Sequence, residues 1–160
     1  MLEIFDIWRD NMYYNKEKQI LVSLIGSILI LGFYSIYVYN NYIAGKPEVL
    51  NDFKFWGKAF LILILVSIVA QIIIHIVFVI INKILTNEDM PTITDERDKL
   101  IELKAIKISY WIFCFGFLLA MGALAIGMQP YVMFLLLIYS MFATGIVESI
   151  ARIYFYRRGI

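Results

Sequence analysis

The chain has 160 residues, 62% of them apolar or aromatic, and its 17% of charged residues gather in short segments between long apolar runs. A water-soluble domain carries only about 45–50% apolar residues, so an ordinary soluble globule is excluded. The net charge of +1 supplies no basic field for nucleic acid or an acidic substrate, and direct nucleic-acid binding is not expected. Cys114 is the single cysteine, which rules out an intrachain disulfide.

Residues 1–18 form the first segment. Leu2, Phe5, Trp8 and Met12 fall near one another on a helical surface, with Asp6, Arg9 and Asp10 elsewhere. That pattern predicts a short amphipathic helix in the headgroup region, serving as an anchor or as a partner surface. A cleavable signal peptide is not expected. Glu3, Asp6, Asp10 and Glu17 precede the first apolar run, and no small-x-small site follows it.

Four runs then qualify as membrane spans, at 20–39, 55–81, 108–128 and 131–156, since about 20 apolar residues cross the hydrocarbon core as a helix. Inside lipid the backbone must satisfy its own hydrogen bonds, which selects helices. The expected fold is therefore all-α: an integral membrane four-helix bundle over 19–160, with a cytoplasmic loop and helix extension at 84–107. Eleven of the fourteen Lys and Arg residues lie in the N-terminal segment, between spans two and three, or at the C-terminal end. This bias predicts both termini in the cytoplasm, on the inner side of a cytoplasmic membrane. Tyr34, Tyr37, Tyr39, Tyr42 and Trp56 mark the other interface, and Gly127-Met128-Gln129-Pro130 makes spans three and four an antiparallel hairpin.

In the middle loop, Asn87-Glu88-Asp89-Met90-Pro91 should end the second helix, and Thr92, Thr94 or Asp95 should cap the next. From Asp95 a helix can run unbroken into the third span. Its acids lie in the first turn and its bases later, as the helix dipole favours. Asp95, Glu96, Arg97, Asp98, Lys99 and Glu102 are then either a solvated charged helix start or the contact residues for a cytoplasmic protein partner. The Asp95-Glu96-Arg97-Asp98-Lys99-Leu100-Ile101-Glu102 segment, with Tyr156-Arg157-Arg158-Gly159 near the end, resembles a family of small prokaryotic four-helix membrane proteins of unknown function. Members of such families are often encoded beside a helix-turn-helix regulator. The resemblance thus implies a membrane partner for such a regulator, and it brings no catalytic residues.

Polar residues inside spans are costly, about 2.5–3.5 kcal/mol for an ionised group at the centre, and each requires a reason. The second span holds Ser67, Gln71 and His75 at steps of four, and the fourth holds Ser140, Thr144, Glu148 and Arg152 at the same step. Measured from Lys83 and Arg157 at about 1.5 Å per residue, His75 and Glu148 lie about 12 and 13.5 Å deep. The expectation is a polar cluster of Gln71, His75, Thr144, Glu148 and Arg152, in which His75 donates to Glu148 across the bundle. Three roles stay open for it: hydrogen-bonded glue between helices, a proton- or solute-handling site, or a metal site of His75, Cys114 and Glu148, a thin ligand set. No cofactor is expected. Gly116, Ala120, Ala123 and Gly127 repeat small-xxx-small along the third span, which fits close packing within the bundle or a homo-oligomer.

No phosphate-binding loop, HExxH, CxxC or GxSxG occurs, and enzyme activity is not expected. The reading is a non-enzymatic membrane regulator or interaction protein that shows a cytoplasmic helix surface to a partner. The alternatives are a small oligomeric transporter or channel using the buried His/Glu/Arg cluster, and a subunit or assembly factor of a larger membrane complex.

Overall fold

The computed structural model describes residues 2–86 and 96–158, the side chains of 2–14, 47 and 86 excepted. Among the described residues there are four long α-helices and no strand: α1 Leu2–Val38, α2 Phe53–Thr86, α3 Glu96–Ala125 and α4 Pro130–Arg158. A π-helical turn at Tyr39–Ile43 and a 3-10 turn at Pro47–Asn51 join α1 to α2. Each of the four helices is long and apolar enough to cross a membrane. The α2 run from Phe60 to Ile81 is dominated by Ile, Val and Leu. In water the β-branched Ile and Val are mediocre helix formers, but in an apolar medium the internal backbone hydrogen bonds outweigh that preference.

One expected boundary looks different in the structure. Residue 18 is not a break, because α1 runs through it from Leu2; the face formed by Leu2, Phe5, Trp8 and Met12 lies outside the described side chains. The stop at 87–91, the caps at 92–94 and Asp95 also lie outside the described residues. α3 continues unbroken from Glu96 past Lys107 to Ala125.

The hairpin between α3 and α4 is closed by local chemistry. Met128 N–H donates to Ala123 O at 3.0 Å and Gly127 N–H to Leu124 O at 3.1 Å, the two bonds of a Schellman C-cap. Gly127 adopts φ of 82°, where a Cβ clashes with the backbone. Pro130 opens α4 at a position that needs no N–H donor. Gly127→Ala should therefore cost about 1–2 kcal/mol from the left-handed backbone alone, measured by unfolding of the purified protein in detergent; an unchanged midpoint would contradict this capping role.

α4 is the central helix. Along 131–153 nearly all its residues are buried or half-buried, whereas α2 and α3 are exposed over most of their surface. α3 packs on α4 through a stripe of Ile101, Ala105, Ser109, Gly116, Ala120 and Ala123, whose spacing of three, four and seven is the seam of near-parallel helix packing. Of the expected small-residue series, Gly116, Ala120 and Ala123 lie in this seam, and Gly127 serves the turn. On the other side of α4, Ile138 and Phe142 enclose Leu63 of α2, and Ile30, Leu31 and Tyr34 of α1 complete that core. The order around α4 is thus α3 on one face and the α1–α2 pair on another, with no substantial packing between α2 and α3.

The two ends differ in chemistry. At one, Lys16 pairs with Asp98 and Glu17 with Arg157, bringing α1, the start of α3 and the end of α4 together. At the other, aromatic rings dominate: Trp56, only 4% exposed, stacks on Phe134 at 6.0 Å, and its indole N–H donates to Leu50 O at 2.9 Å. Large apolar side chains such as Ile72 and Ile76 on α2 and Trp111 and Leu118 on α3 stand exposed in rows, far beyond what water tolerates on a soluble surface.

Candidate functional site

The polar residues predicted within spans two and four do not meet as one cluster. Gln71 and His75 turn to α1. Ser23 donates to Gln71 Oε1 at 2.8 Å, while Gln71 Nε2 donates to Ser23 O at 3.2 Å and to Ser27 Oγ at 2.7 Å. His75 Nδ1 shares a 2.7 Å hydrogen bond with Gln19 Nε2. Ser67 Oγ, one turn further along α2, is buried without a hydrogen-bond partner. The α2 ladder therefore has an α1 ladder as its counterpart, Gln19, Ser23 and Ser27, also at steps of four.

The α4 ladder instead faces α3. A Cβ placed on Gly116 would lie 2.0 Å from Ser140 Oγ and 2.4 Å from Ser140 Cβ, so the two backbones approach closely at that level. Ser140 and Thr144 donate to carbonyls of their own helix, Leu136 O at 2.6 Å and Ser140 O at 2.7 Å. Glu148 accepts from Arg152 Nη2 at 2.5 Å, and the same nitrogen donates to Glu102 of α3 at 3.0 Å.

Between α1, α3 and α4, at the charged end, lies a cavity of about 460 Å³. Lys16, Gln19, Ser23 and Ser27 supply its α1 wall. Asp98 and Glu102 line it from α3, and Glu148, Ser149, Arg152 and Tyr156 from α4. Asp98 is its most enclosed charged side chain, at 5% exposure. It accepts from Lys16 Nζ and, at 3.0 Å, from the Tyr156 hydroxyl. Among the described residues two cations and three carboxylates stand on these walls, which leaves one formal negative charge over. Arg152 Nε is buried without a partner, and the bonds to Glu148 and Glu102 both leave through Nη2.

Of the six candidate partner-binding residues, Asp98 thus turns inward, and Glu102 reaches the cavity wall while half of its side chain stays exposed. Glu96 and Lys99 are exposed, Arg97 is half-buried and Asp95 lies outside the described residues. Among the described residues no three His, Cys, Asp or Glu side chains converge, so His75, Cys114 and Glu148 form no metal-binding group. Sequence reasoning passed over Lys16, Gln19, Ser23, Ser27, Ser149 and Tyr156. The i, i+4 spacing of Gln19, Ser23 and Ser27 was the available signal for the α1 face; nothing local marks Tyr156 as the partner of Asp98. No family model, curated protein or solved structure matches this chain.

Proposed function

We propose that this is a non-enzymatic integral membrane protein of regulatory or interaction type, which presents the start of α3 to a cytoplasmic protein partner. The observation that carries the reading is the mounting of that helix start. Asp98 is buried against Lys16 and Tyr156, Glu102 reaches Arg152 from a half-exposed position, and Glu96 and Lys99 are exposed. A charged surface fixed to a polar cavity can report a change in that cavity, because an ion pair across helices has alternative partners. The excess of Lys and Arg at this end supports its cytoplasmic placement.

Photo-crosslinking from Lys99 in intact cells tests the reading. A discrete adduct with a cytoplasmic protein is expected, lost on Glu96→Lys while the chain still inserts. The same adducts in parent and variant would sink it. The runner-up is an oligomeric transporter or channel, favoured by the same polar cavity between apolar helices. Saturable solute flux into proteoliposomes that disappears in Glu148→Gln would move the assignment there.

A further inference from the structure

Among the described residues the hydroxyl groups on the cavity wall are all turned the same way electrically. Ser23 has its proton on Gln71 Oε1, Ser27 on Ser23 O, Ser149 on Gly145 O and Tyr156 on Asp98 Oδ1. Each therefore offers the cavity lone pairs and no free O–H. The carboxylates add further acceptors, and among the described residues they outnumber the cations: Lys16 is paired with Asp98, and Arg152 holds Glu102 and Glu148 through Nη2, with its Nε–H alone lacking a partner. A wall rich in acceptors with a formal charge left over complements a ligand that is positively charged and rich in N–H donors. The volume of about 460 Å³ lies within the range of small-molecule sites, about 300–1,000 Å³. A bare alkali ion would fill little of it.

We infer that this cavity binds a small organic cation bearing N–H donors, a protonated primary amine, with its ammonium group between Glu148 and the Ser23 and Ser149 hydroxyls. The ammonium competes with Arg152 for Glu148, so occupancy bears on the Arg152–Glu102 link between α4 and α3. This last consequence rests on the regulatory reading above; binding of the amine does not.

The test uses the full chain in lipid nanodiscs, titrated with butylammonium and with putrescine. Butanol, butyrate and sodium chloride at equal ionic strength are the controls. Saturable calorimetric binding of the amines is expected, with none for butanol or butyrate. Glu148→Gln should weaken it about tenfold, the loss of one charge-assisted hydrogen bond. Ser149→Leu, which fills the cavity and removes no charge, should abolish it while the melting midpoint stays near that of the parent. Absence of saturable amine binding, equal binding of butanol, a response to sodium alone, or parental affinity in Ser149→Leu would each overturn the assignment. Crosslinking from Lys99 with and without amine separates the two readings: amine binding with an unchanged adduct overturns the coupling of occupancy to the α3 surface and leaves the site standing, whereas an adduct without amine binding overturns the site alone.

Discussion

Asp98→Ala should destabilise the protein by about 3 kcal/mol, the scale for removing one partner of a buried ion pair. Asp98 is 5% exposed and holds both Lys16, itself only 21% exposed, and the Tyr156 hydroxyl. The substitution leaves an ammonium and a phenol without their shared partner on the wall of a partly open cavity. Lys16 has a long stem that can carry its charge toward the headgroups, which keeps the expected cost at the lower end of that scale. Removing the charge as well, in Asp98→Ala with Lys16→Met, should recover at least half of the loss, since the penalty belongs chiefly to the unpaired cation. Reversible unfolding in mixed micelles measures both. A single variant within about 0.5 kcal/mol of the parent, the range of ordinary surface substitutions, would mean that Asp98 is not held as described.

Gly116→Ala should cost about 1–3 kcal/mol, the usual penalty for overpacking a close contact. The added methyl meets Ser140 Oγ at 2.0 Å and Cβ at 2.4 Å. Turning the serine hydroxyl away relieves the first clash, but the second involves a Cβ that no rotamer moves. α3 and α4 must therefore separate along a seam that also contains Ala120 and Ala123. Ser140→Gly in the same chain removes both clashing atoms and leaves the Ser140 Cα at 3.5 Å, an ordinary contact. The double variant should regain most of the stability lost by Gly116→Ala. An additive double variant, with both costs summed, would show that the two residues do not touch.

The positions of the helices were legible because span length and apolarity are local properties of the chain. The runs at 55–81, 108–128 and 131–156 coincide with α2, α3 and α4 to within a few residues at most ends. The Gly127 turn was legible for the same reason: left-handed backbone and the proline that follows are written into adjacent residues. The polar faces were legible as faces, since steps of four place side chains on one stripe. Their partners were not. Matching His75 to Glu148 by depth treated level as sufficient, and depth says nothing about which helix stands beside which. The register that the structure uses is antiparallel, with Gln19 against His75 and Ser23 against Gln71.

From the chain alone one can thus read four apolar helices, a charged end and an aromatic end, because bilayer thickness and headgroup chemistry act on each segment separately. Neighbourhood is another matter. Which helix sits centrally, and that Asp98 points in toward Lys16 and Tyr156 while Glu96 points out, depend on contacts 58 to 82 residues apart in sequence. Such contacts are settled by the mutual fit of small residues along the α3–α4 seam and by the need of each polar group for a partner. No single segment carries that information, because each of these polar groups would be satisfied by several partners, and packing chooses among them.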